Sequence, residues 1–437
     1  MRARLLIAGT AAAAAAAVLA LGGVLRHEPV AAASGALPAA IAAELQKGFA
    51  AGDTQAEIAG LQAELQADPA NVKALDTLGL AYLQRVRETG DASYYDKADG
   101  ILHEALGRSP RDLIATAGLG QLALSRHRFR LALSLGLQAK RISPTTAGVY
   151  GVIGDAELEL GRYRAAFADF DHMNAIKPDV ASYARVSYAR ELIGHTAAAE
   201  RAMALAASAA LGEREASSWA RVQLGLLLLN TGRPHAALAQ MNDALTLDPD
   251  YYFALDGLAQ AQLGLGRLRA ARSAEQAAVD RVPLPQYVAL LGDLDAALGH
   301  GAAAKREYAL IGVIGKLLAA NGVRNDLDIA LFDVDHGIAL PHALELARKG
   351  YAERPSIFGD DVLGWALARN GRCTEARHYS ARSLRLGTKD ALKFFHRGWI
   401  EACLGDHVGA ALWYRRALAL NPRFSILWAP VARKGAI

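Results

Sequence analysis

The sequence predicts an all-α solenoid of about ten stacked helix pairs, and three observations carry that prediction. The 437-residue chain is 52% hydrophobic but only 7% aromatic, an Ala- and Leu-rich make-up that favours helix. Helix-breaking prolines fall at Pro69, Pro110, Pro144, Pro178, Pro249, Pro283, Pro355 and Pro422. After a first gap of 41 residues, every gap is 34 or close to twice 34. Within each unit a small residue recurs midway along the first helix, as at Gly79, Gly120, Gly154, Gly225 and Gly364. Another recurs in the second helix, as at Ala98, Ala132, Ala166, Ala237 and Ala376. Two antiparallel helices about 8–10 Å apart leave no room for a large side chain where they cross.

The N-terminus reads as an export element. Arg2 and Arg4 precede an uncharged run from Leu5 to Leu25, and Ala31–Ser34 follows as a small-residue stretch. A positive start, an apolar centre and an A-x-A-like site describe a signal peptide, with cleavage expected after Ala33. The run is also as long as the ~20 residues that span a bilayer, so an uncleaved anchor is the alternative. Both readings put the body outside the cytoplasm, periplasmic or secreted in one case and held at the cytoplasmic membrane in the other.

Residues 34–69 are expected to hold a linker and a capping helix, residues 70–422 the repeat array, and residues 423–437 a second cap. Terminal repeats generally need such covers. The missing prolines fall near Gly212, Leu317 and Thr388, which makes ten repeats. The first repeat is lengthened by an insertion at 87–95. Residues 302–320 read as one long helix, and the stretches near 212 and 317–355 are expected to bend the stack.

The recurring order resembles that of the tetratricopeptide repeat family. Its loose pattern is matched by Leu119-Gly120…Ala132…Ala139…Pro144, by Gly154…Ala166…Phe170…Pro178, and by Leu224-Gly225…Ala237…Ala244…Pro249. The resemblance covers about four-fifths of the chain. It implies a right-handed superhelix whose first helices line a concave groove.

Composition and motifs narrow the function. A net charge of +4 over 437 residues gives no basis for nucleic-acid binding, and 37 of the 48 basic residues are arginine. Two cysteines are too few for a disulfide framework or a Cys-based zinc module. No phosphate-binding loop, dinucleotide turn or nucleophile elbow is present; Gly118-Leu-Gly120 lies inside a helix. The chain therefore reads as non-enzymatic, with no cofactor and no metal. Asp326, Asp328, Asp333, Asp335, His336 and His342 form the densest polar cluster, read as a solvated turn because their spacing fits no metal motif. Histidines 127, 195, 235, 300 and 407 recur at turns. Cys373 and Cys403 open a second helix and end the following first helix, on the same side of the stack, where a bridge can form in an oxidising compartment.

What lines the groove follows only from the resemblance. Mapped that way, it presents Asp155, Asp256, Asp293 and Asp361, with Tyr188, Trp365 and Trp399 as aromatic anchors. The carboxylates would attract a basic stretch, and the tryptophans, one repeat apart, would hold an apolar or cationic side chain. The expected function is an exported scaffold or adaptor that holds a protein or peptide segment in the groove. The alternative is a spacer or self-associating envelope component. Membrane contact is expected only through residues 5–25, if these are retained.

Overall fold

A computed structural model describes residues 54–210 and 214–437. The expected signal or anchor, and the linker up to residue 53, lie outside the described residues. Ten helix pairs follow one another: α2 (Val72–Thr89) with α3 (Tyr94–Arg108), α4 (Leu113–Ser125) with α5 (Phe129–Ile142), α6 (Ala147–Glu159) with α7 (Tyr163–Ile176), α8 (Val180–Leu192) with α9 (Thr196–Ala209), and α10 (Arg214–Asn230) with α11 (Pro234–Leu247). The series continues with α12 (Tyr252–Gly264) and α13 (Leu268–Arg281), α14 (Pro285–Ala297) and α15 (Gly301–Ala320), α16 (Asp326–His336) and α17 (Leu340–Glu353), α18 (Ile357–Arg369) and α19 (Cys373–Ser383), and α20 (Ala391–Cys403) and α21 (His407–Leu420). α1 (Thr54–Ala67) precedes the pairs and α22 (Ala429–Gly435) follows them; no strand occurs among the described residues.

Local chemistry starts and stops these helices. Asn71, Asp112 and Ser356 cap α2, α4 and α18 by accepting a backbone N–H of the first turn. Asp179 and Ser182 form a reciprocal capping box at α8. Each first helix buries more than half of its residues, whereas each second helix buries only two to five. At the crossing of α6 and α7, a Cβ on Gly154 would lie 2.5 Å from the Phe170 ring and 3.2 Å from the Ala166 carbonyl oxygen. Only glycine fits there.

The turns of the superhelix touch. His127 Nδ1 donates to the Arg324 carbonyl at 2.8 Å, and the Ile357 N–H donates to the Tyr163 hydroxyl at 2.6 Å. The Thr388 hydroxyl donates to the Leu192 carbonyl, and Asn421 Nδ2 donates to the Leu229 carbonyl at 2.9 Å. These four contacts join residues 197, 194, 196 and 192 apart. One superhelical turn therefore takes between five and six 34-residue repeats, and the loops of the second turn rest on those of the first. Gly161 sits in this seam at φ 73°, with Pro355 O only 2.6 Å from where a Cβ would be. His127 takes the left-handed conformation, φ 55°, without being glycine, which costs on the order of 1 kcal/mol or more.

Candidate functional site

The first helices do not line an open groove. Asp155, Asp256, Asp293, Asp361 and Trp365 are all buried, and each is bonded within the chain. This corrects the expectation of an exposed acidic face. The physical reason is the tight winding, which brings inward-facing residues of neighbouring first helices into bonding distance.

Arg185 on α8 grips Asp155 on α6 through Nη2, 2.7 Å from Oδ2, and through Nε at 3.1 Å. Burial pushes the Asp155 pKa up to about 6, while Arg185 acts in the opposite sense. Asp256 accepts from Gln260 Nε2 at 2.7 Å. Asp293 accepts from the Tyr308 hydroxyl at 2.8 Å and lies 2.9 Å from His336 Nε2. Asp361 meets His396 Nδ1 at 3.1 Å. A basic partner peptide would have to displace each of these contacts.

The two tryptophans do lie side by side, with ring centroids 5.6 Å apart. Their cation is already present. The Arg369 guanidinium sits 5.4 Å from the Trp365 ring, 5.7 Å from Trp399 and 5.2 Å from Trp428. The indole N–H groups of Trp365 and Trp428 both donate to Asp335 Oδ1, at 2.7 and 2.9 Å. Trp399 is half-buried at the edge of this cluster, and Tyr188 is half-buried beside Tyr163 and Leu386.

The polar cluster at 326–342 is also corrected. It is not a solvated turn: Asp328 and Asp335 are buried on α16, and Asp335 is the acceptor for the tryptophans. Among the described residues no group of three or more His, Cys, Asp or Glu side chains is arranged to hold a metal ion. Cys373 and Cys403 form a disulfide with Cα atoms 6.1 Å apart, tying the ninth pair to the tenth.

Three residues central to this arrangement escaped the sequence reading. Arg354 Nη2 lies 2.8 Å from Glu159 Oε1 in a buried pair across the seam. Trp428, in the segment read only as a cap, reaches inward to α16, α18 and α20. An aromatic residue just beyond the last repeat is the one sequence signal that could have pointed to it.

What remains open is the outer surface. The large aliphatic side chains exposed within helices are Leu131 and Leu137 on α5, Leu205 on α9, Leu247 on α11, Leu310, Val313 and Leu317 on α15, and Val408 and Leu412 on α21. All stand on second helices.

A tetratricopeptide repeat model matches residues 220–251, which span most of α10, all of α11 and the loop that leads to α12. No curated protein matches the sequence. Among solved structures, PilW, a type IV pilus biogenesis factor, is 18% identical, covers 46% of this chain and 92% of its own, and gives a TM-score of 0.39. Cut9 in complex with Hcn1, from the APC/C, is 12% identical with 91% and 95% coverage and a TM-score of 0.38. YrrB, described as a TPR protein with an unusual peptide-binding site, is 18% identical with 43% and 94% coverage and a TM-score of 0.29. The matched unit is one of ten helix pairs with the same internal order, so the chain carries a tetratricopeptide repeat at 220–251 within an all-α repeat solenoid.

Proposed function

We propose that this repeat array is a non-enzymatic interaction scaffold that works outside the cytoplasm and binds a protein or peptide partner on its outer face. One observation carries the choice of face. The inner residues are committed to internal bonds, whereas the exposed apolar side chains stand on second helices. Exposed aliphatic stripes rimmed by polar residues are the usual mark of an interaction surface. On α5 the stripe is Leu131, Ser134 and Leu137; on α21 it is Val408 and Leu412 beside Arg415. The expectation of a basic partner rested on open carboxylates and falls with them.

Two features support the export reading. The N-terminal run is that of a signal or anchor, and a disulfide between adjacent repeats suits an oxidising compartment.

The test is affinity capture from cell envelopes with the full chain as bait. A Leu131→Asp/Leu137→Asp variant and a Val408→Asp/Leu412→Asp variant run beside it, each checked for folding by circular dichroism. A partner held by the wild type and lost by one folded variant supports the outer-face scaffold. Equal recovery by all three baits defeats it. Recovery of further copies of the chain alone favours the self-associating component.

A further inference from the structure

α15 departs from the other second helices in length and in what it exposes. It runs for 20 residues, and only Ala304 and Ile311 are buried. These two point to one side, where Ile311 packs with Val288, Ala289 and Phe332. The opposite side carries Leu310, Val313 and Leu317, which are 36%, 53% and 61% exposed. At 3.6 residues per turn these three fall on one stripe. Ala302, Ala309 and Ala320 extend it, and all three are exposed.

The charges on this face have one sign. Among the described residues Lys305, Arg306 and Lys316 are exposed and form no ion pair, and Glu307, the helix's single carboxylate, is half-buried. The positive surface continues beyond the helix end. A Cβ on Gly322 would meet the Arg128 guanidinium at 2.7 Å, and Arg324 and Arg130 follow, sharing Glu353.

We infer that α15 is a lipid-docking helix that lies flat on an anionic bilayer surface. An apolar stripe flanked by Lys and Arg, on a helix face that none of the described residues covers, suits insertion of the stripe at the acyl boundary while the cations reach phosphates. The all-cationic rim selects an anionic lipid over a neutral one. This inference does not rest on the protein partner of the outer face, since α5 and α21 carry that reading.

The experiment places a single reporter on the stripe. Cys373 and Cys403 are bonded to each other, so Val313→Cys in the full chain takes a thiol-reactive, environment-sensitive fluorophore alone. A second label at Ser208→Cys, exposed on α9, serves as the control. With phosphatidylglycerol/phosphatidylcholine vesicles the label at 313 shifts to the blue and the one at 208 does not. With pure phosphatidylcholine vesicles the shift is lost. Lys305→Glu/Arg306→Glu/Lys316→Glu weakens the shift's vesicle dependence on the order of a hundredfold, from about fivefold per cation. The label reports burial of α15 itself, so attachment through residues 5–25 does not mimic the result. No shift with anionic vesicles overturns the inference. So does a shift of equal size with neutral vesicles, or one that grows with protein concentration without lipid, which would make a second copy the cover of this face. A shift seen only on adding an acidic protein partner overturns it as well.

Discussion

Glu159 and Arg354, 195 residues apart in sequence, form a buried ion pair in which both side chains are at most 5% exposed. The pair joins the end of α6 to the loop that opens α18, one superhelical turn on. Removing one partner strands a charge in the seam. Arg354→Ala is expected to cost about 3–5 kcal/mol in chemical denaturation. Glu159→Leu/Arg354→Met, which removes both charges, is expected to recover most of that loss. Equal instability of the single and double variants would contradict the pair's role.

Stability is expected to fall as pH rises from 6.5 to 8. Burial, reinforced by Asp112, pushes the Asp76 pKa up to about 8, and burial raises Asp328 to about 7 despite Arg354. In the unfolded chain both titrate near 4. Across this window the folded state holds protons that the unfolded state has released, so the unfolded state binds fewer and stability declines. His127 opposes this trend only weakly: burial and Arg354 lower its folded pKa to about 4, and its unfolded imidazole loses only its last half proton above pH 6.5. Thermal melts at pH 6.5 and 8 should differ, and Asp76→Asn/Asp328→Asn should flatten the difference.

Reduction of the Cys373–Cys403 bond is expected to destabilise the C-terminal pairs. The bond closes a loop across 30 residues, and crosslinks of this kind contribute roughly 2–4 kcal/mol. Denaturant titrations with and without dithiothreitol, and of Cys373→Ser/Cys403→Ser, should agree in the size of the loss. An unchanged midpoint would show that packing alone holds these pairs.

Much of the architecture was legible because its causes are local. Prolines stop helices, small residues mark crossings, and both recur every 34 residues, so the pairs and the long helix at 301–320 follow from the chain. The inner face was misread for a different reason. A period of 34 describes neighbours, whereas the radius of the superhelix comes from small rotations summed over five or six repeats. Asp155 was read as a free groove carboxylate, yet Arg185, 30 residues on and one repeat away, is its partner. Asp361 and His396, 35 apart, follow the same rule. Trp365 and Trp399 were correctly placed as neighbours. Trp428 was not, because it lies past the last repeat and has no counterpart in the period.

The seam also changes what the repeats can tolerate. In an open stack each unit leans only on its neighbours, so one can be deleted or duplicated and the rest still fit. Here Gly161 must meet Pro355, Leu192 must meet Thr388 and Leu229 must meet Asn421 at nearly the same offset. Losing a single unit from the middle would shift that offset by a whole repeat and unlatch every pair it crosses. The number of units in the circuit is thereby locked, and the array behaves less like a string of beads than like a coil whose thread has a fixed pitch.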